Sequence, residues 1–83
     1  MKLNILYFAW VRERIGHSQE AYETSAVTVA DLITELMARD AGYAAAFADL
    51  SVICVAVDQE LSDFAAPLSD CREVAFFPPM TGG

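Results

Sequence analysis

Eighty-three residues make one small domain with no room for a second core, and 55% apolar residues against 20% charged exclude a disordered chain. A domain this small does not wall off a deep catalytic cavity, so an exposed face, a loop or a terminus is the expected seat of function. Five Lys plus Arg against twelve Asp plus Glu leave a net charge of −7, which disfavours nucleic acid: only Arg12 and Arg14 stand close together, and Glu13 lies between them.

Residues 2–9, dense in Leu, Ile, Tyr and Phe, read as a first strand. Leu3, Ile5, Tyr7 and Ala9 share one face at period two, while Lys2, Asn4, Leu6 and Phe8 share the other, whose polar members mark it as outward. Residues 10–15 predict a helical turn closed by Gly16, and residues 19–24 a hairpin partner for the first strand. Thr28 followed by Asp31 resembles a capping box, after which Leu32, Ile33, Leu36 and Met37 repeat at helical spacing. Glu35 and Arg39, four apart, are expected to pair on its solvent side, with Gly42 closing the helix and residues 43–48 adding a short helical piece.

Residues 51–58 form a β-branched strand with Ile53, Val55 and Val57 on one face and Val52, Cys54 and Ala56 on the other. A turn through Asp58, Gln59 and Glu60 leads to a brief strand over 61–64, a turn over 67–70 and a final strand over 72–77. This order is not a regular βαβ array; it predicts an α+β roll, one mixed sheet with a helix packed across one face. The domain is expected to span residues 1–77, with residues 78–83 as a flexible tail.

Cys54 and Cys71 are too far apart for a C-x-x-C motif, and His17 is the single histidine, so no metal site is expected. The longest uninterrupted apolar run, residues 5–11, is too short for a membrane helix, and no signal-peptide cleavage pattern follows Lys2. A reducing, cytoplasmic setting fits these features. Cys71 in a polar turn reads as incidental rather than as a reactive thiol, Cys54 as packing, and His17 as a loop residue.

The most informative stretch is Phe76-Phe77-Pro78-Pro79-Met80-Thr81-Gly82-Gly83. Pro78 and Pro79 favour an extended path out of the sheet, and residues 78–83 reach about 20 Å, enough to enter a partner's active site. Gly82 and Gly83 carry no side chains, so a narrow channel can close around their backbone and present the Gly83 carboxylate. A carboxylate is a poor electrophile, so chemistry at that point requires activation, for instance as an acyl-adenylate made with ATP by a partner.

With these residues in view, the chain resembles the small subunit of molybdopterin synthase, a ubiquitin-like β-grasp sulfur carrier. The resemblance spans nearly the whole chain. It rests on Leu6-Tyr7-Phe8-Ala9 with Val11-Arg12-Glu13, on Ala56-Val57-Asp58-Gln59, on Pro67-Leu68-Ser69-Asp70, and on Glu73-Val74-Ala75 leading into the Phe-Phe-Pro-Pro ending. It implies that an E1-like adenylyltransferase activates Gly83 with ATP and that a sulfur donor protein converts the adenylate to a thiocarboxylate. The tail, Pro78, Pro79, Met80, Thr81 and Gly82, then threads into the large synthase subunit, where sulfur passes to cyclic pyranopterin monophosphate within a heterotetramer. No cofactor is bound permanently. Asp58 stands where the family often has Asn, and Cys71-Arg72 replaces a commoner Gly-Asp, which strains the turn if Cys71 must be left-handed.

Leu6, Phe8, Cys54, Ala56, Ala75 and Phe77 make the outer sheet face too apolar for solvent alone, and Phe8, Phe77 and Leu61 are expected to anchor partners there. The alternative is that a loop or Trp10 folds over this patch and makes it a minor core. Three rival functions remain beside the synthase carrier: a ubiquitin-like modifier conjugated to lysines, a thiamine-pathway sulfur carrier, and a non-covalent adapter using the apolar face. The acidic charge predicts steering toward basic partner pockets.

Overall fold

The computed structural model describes residues 1–79; the expectations for Met80, Thr81, Gly82 and Gly83 lie outside the described residues. The elements run β1 (Lys2–Tyr7), α1 (Ala9–Ile15), β2 (Gln19–Glu23), α2 (Val29–Met37), α3 (Ala41–Ala46), a 3-10 turn at Leu50–Val52, β3 (Cys54–Val57), β4 (Glu60–Ser62) and β5 (Glu73–Phe77). They build one mixed sheet in the order β2-β1-β5-β3-β4, with β1 and β5 parallel and the other pairs antiparallel. The last strand therefore lies at the centre, bonded to a neighbour on each side.

Period-two alternation sorts the faces as expected. Leu3, Ile5, Tyr7, Val55, Val74 and Phe76 are buried on the inner face, where Val29, Leu32, Ile33 and Leu36 of α2 and Tyr43 and Phe47 from the α3 region join one core. Each large apolar side chain buried there contributes about 1.5–3 kcal/mol. Phe47 and Phe76 meet edge-on with ring centroids 4.9 Å apart, tying α3 to the central strand.

Thr28 caps α2 as its sequence suggests, its hydroxyl accepting from the Asp31 N–H at 3.2 Å. Two more first-turn donors are satisfied by the loop after β4: Val29 N–H donates to the Ala66 carbonyl at 3.1 Å and Ala30 N–H to that of Phe64 at 2.8 Å. Leu68 in the same loop is wholly buried, so the predicted turn over 67–70 also supplies core.

Several boundaries differ from the sequence reading. The first strand stops at Tyr7, because Ala9 takes a left-handed φ of 54° and opens α1. The third begins only at Cys54, after the 3-10 turn, and the fourth covers Glu60–Ser62 rather than 61–64. Gly16 does close α1 in the left-handed region at φ 102°. Gly42, by contrast, does not end α2, which stops at Met37. It lies within α3, where an added Cβ would fall 2.9 Å from the Arg14 carbonyl oxygen; glycine there lets α3 approach the end of α1. Because α2 ends early, Arg39 leaves the helical register and the expected Glu35–Arg39 pair does not form. Glu35 accepts from Thr24 Oγ1 at 2.7 Å and Tyr22 OH at 3.1 Å, and Arg39 reaches Glu20 Oε1 at 2.9 Å.

Candidate functional site

The outer face is built where β1, β5 and β3 lie side by side. Leu6, Ala75, Ala56 and Leu61 stand in register across four strands, and Cys54 pairs with Phe77 at the end from which the chain leaves the sheet. The two alanines give this face a low floor, with larger side chains around it. Phe8 is 47% exposed and Leu61 76% exposed, while Phe77, Leu6, Cys54 and Ala56 are half-buried. Phe8 stays exposed, and Trp10, within α1, is half-buried and lines a groove with Ala45 of α3 and Val52 of the 3-10 turn.

Pro78 follows Phe77 directly. Because β5 is bonded to β1 and to β3, and the Phe76 carbonyl also accepts from Phe8 N–H at 3.1 Å, the root of the C-terminal segment is fixed on both flanks. Phe8, Cys54 and Phe77 thus surround the point where residues 78–83 begin. Pro78 is half-buried and Pro79 exposed, and neither belongs to a strand or helix.

A second cluster, which sequence reasoning missed, closes the opposite side of the core. Glu20 on β2 accepts from Tyr7 OH at 2.7 Å, Tyr43 OH at 2.5 Å and Arg39 at 2.9 Å, and His17 Nε2 lies 3.2 Å away. His17 lies in the loop between α1 and β2, as expected, and its Nε2 also lies 3.0 Å from Tyr43 OH. Burial pushes the Glu20 carboxyl up, but the hydrogen bonds from Tyr43, Tyr7, Arg39 and His17 outweigh it and hold it down at about 2. Burial and the bond to Glu20 raise Tyr7, and the same two causes push Tyr43 up to about 12. With every buried side-chain polar atom among the described residues partnered, the cluster is a structural tie among β1, β2 and α3. The available signal was the pair of core-facing tyrosines, whose hydroxyls need a partner once buried.

Cys71 is buried at 7% exposure, and burial, followed by the charge of Asp58, raises its thiol and disfavours the reactive thiolate, in keeping with the reading of this residue as incidental. The left-handed residue of its turn is Asp70 at φ 62°, so Cys71 escapes the expected strain. Asp58 has a definite task. Its Oδ1 accepts from Arg72 N–H at 2.8 Å and Glu73 N–H at 3.0 Å, joining the β3–β4 hairpin to the start of β5. An Asn in its place would retain that acceptor. No group of three His, Cys, Asp or Glu side chains among the described residues is arranged to hold a metal.

A mixed five-stranded sheet with helices on one face and a central last strand defines the ubiquitin-like β-grasp class. SAMP1 from Haloferax volcanii shares this fold over 100% of both chains, with a TM-score of 0.78 at 21% identity. So does a chain of the complex of subunits 1 and 2 of molybdopterin-converting factor from Helicobacter pylori, with a TM-score of 0.66 at 21% identity over 100% of both chains. The ThiS family model matches residues 5–83. The molybdopterin synthase sulfur carrier subunit of Escherichia coli is 40% identical over 81 residues, 98% of this chain and 99% of that protein. The chain belongs to the ThiS family, among the sulfur carrier subunits of molybdopterin synthase, and so to molybdenum cofactor biosynthesis.

Proposed function

We propose that the chain carries sulfur on Gly83. An E1-like adenylyltransferase joins the Gly83 carboxylate to the AMP portion of ATP with release of pyrophosphate; sulfide-level sulfur delivered by a donor protein then attacks the acyl carbon, displaces AMP and leaves a thiocarboxylate. The segment Pro78, Pro79, Met80, Thr81 and Gly82 threads into the large synthase subunit, which supplies the catalytic pocket, and sulfur passes to cyclic pyranopterin monophosphate. Phe8, Leu61 and Phe77 form the docking face for the partners. ATP is the partner's substrate, and the domain by itself is not a catalyst. A reducing, cytoplasmic setting belongs to this reading; Cys54 and Cys71 are both unpaired, and no helix among the described residues is long and apolar enough to cross a membrane.

The observation that carries this reading is the 40% identity to a sulfur carrier subunit along 98% of the chain. Exposed Phe8 and Leu61 on the face at the root of the tail support the docking component. Deleting Gly82 and Gly83 tests it. The truncated chain is expected to bind the large subunit through the docking face and to transfer no sulfur in a reconstituted system, whereas an adapter would work unimpaired.

A further inference from the structure

Phe8 and Ala9 form a junction with two features that lower the stability of the free domain. Phe8 stands at the N-cap of α1 in an extended conformation, φ −124° and ψ 154°, and supplies no side-chain cap, in the position where Ser, Thr, Asp or Asn satisfies a first-turn N–H. Its ring is 47% exposed. Ala9 then takes a φ of 54°, a region disfavoured for residues that carry a Cβ. The other non-glycine residues with positive φ among the described residues, Asp58, Gln59 and Asp70, lie in polar turns, and two of them are aspartates, whose short side chains tolerate this region. Ala9 has only a methyl group, and because the residue is exposed no burial offsets the strain.

Local strain persists where the surrounding structure over-determines it, and the hydrogen bonds of Phe8 do so here. Its N–H donates to the Phe76 carbonyl at 3.1 Å, carrying the parallel contact of β1 and β5 one residue further, and its carbonyl accepts from Val11 N–H at 3.2 Å and Arg12 N–H at 3.4 Å, which starts α1. Val11 is wholly buried. A single residue, Ala9, therefore turns the chain from the sheet into a helix whose Val11 enters the core while Phe8 stays outside. Through the Phe76 carbonyl the same junction grips the end of β5, from which Pro78 and the C-terminal segment depart. We propose that Ala9 is a positioning residue: its positive φ fixes exposed Phe8 beside the root of that segment, and the free domain gives up stability at both residues so that the large synthase subunit meets a preset aromatic anchor. The inference rests on the docking reading and deepens it by naming what holds Phe8 in place. An anchor already in its bound position loses less freedom on association.

Phe8→Asn supplies the missing cap without changing the charge. It is expected to raise Tm by roughly 4–8 °C and to weaken binding to the large subunit about thirtyfold. Ala9→Gly relieves the strain while keeping the positive φ, and is expected to raise Tm by roughly 3–6 °C. A fall in Tm in either variant, or parent-like affinity in Phe8→Asn, shows that no stability is exchanged for docking at this junction and overturns the proposal, even where Ala9→Val does not fold. Ala9→Val, compared at matched folded concentration, is expected to bind about tenfold more weakly. Its Phe8 N–H is expected to exchange about tenfold faster relative to Tyr7 N–H, which bonds the Ser18 carbonyl at 2.9 Å on the other side of β1. Affinity and protection are expected to return in Ala9→Gly. Parent-like affinity in Ala9→Val, or an equal loss in Ala9→Gly, overturns the positioning role while the docking face stands. If Phe77→Asp binds as tightly as the parent chain, the docking face itself is wrong and the proposal falls with it.

Discussion

The two faces of the sheet are cut from the same strands and differ by one residue of register. Phe76 and Phe77 are neighbours in β5, yet Phe76 is wholly buried against Phe47 and Tyr7 while Phe77 stands half-buried beside exposed Phe8. The inner face is roofed by α2 and α3 and its polar groups are answered by Glu20; the outer face has no such cover among the described residues. Similar apolar chemistry thus serves stability on one side and, in the proposed function, partner recognition on the other. The difference follows from the pleat, which sends alternate side chains to opposite faces.

The sharpest way to break this comparison is to truncate the two phenylalanines separately. Phe76→Ala is expected to lose about 3–5 kcal/mol in denaturant unfolding, a large part of a small domain's stability. Phe77→Ala is expected to cost about 1 kcal/mol or less there, yet to weaken binding to the large subunit by about 2 kcal/mol. Equal losses of stability at the two positions would mean that the outer face is a second core.

Glu20 probes how the inner face is closed at its polar edge. Glu20→Ala leaves two tyrosine hydroxyls without their acceptor and is expected to cost about 2 kcal/mol near neutral pH. The folded carboxyl is held at about 2, below its ordinary value of 4.5, so its stabilisation is fully present above the unfolded value. It is lost as pH falls from about 4.5 toward 2. Unfolding measured across that window is expected to show a steeper acid loss in the parent chain than in Glu20→Gln. Parallel profiles would remove Glu20 from the account.

Smaller effects are expected at the turn before β5. Cys71→Ala removes a small buried group and is expected to cost about 1 kcal/mol with sulfur transfer unchanged, as a reconstituted assay with matched folded concentrations can check. Asp58→Asn keeps the acceptor for Arg72 and Glu73 and is expected to change stability by no more than about 0.5 kcal/mol.

Much of the fold was legible because it rests on local periodicity. Leu3, Ile5 and Tyr7 announced the inner face of β1, Thr28 the start of α2, and Gly16 the end of α1. What escaped depends on contacts between distant residues. Glu20 meets Arg39 and Tyr43, which lie 19 and 23 positions away, and no spacing rule links them. Gly42 read as a helix terminator because glycine usually serves that way; its actual role, clearance for the Arg14 carbonyl, appears only when α1 and α3 are packed. Leu68 falls in the turn expected over 67–70, but its burial shows only once that loop packs at the start of α2. The outer-face residues Phe8 and Phe77 could be read from register, whereas the groove around Trp10 could not, because its walls come from three separate elements.

The central claim concerns Gly83, and intact mass spectrometry tests it most directly. Chain isolated from cells that contain the activating enzyme and sulfur donor is expected to carry a fraction heavier by about 16 Da, one carboxylate oxygen replaced by sulfur, with the gain mapping to Gly83. An unchanged mass together with lysine-linked conjugates of the same terminus would contradict it and identify a protein modifier instead.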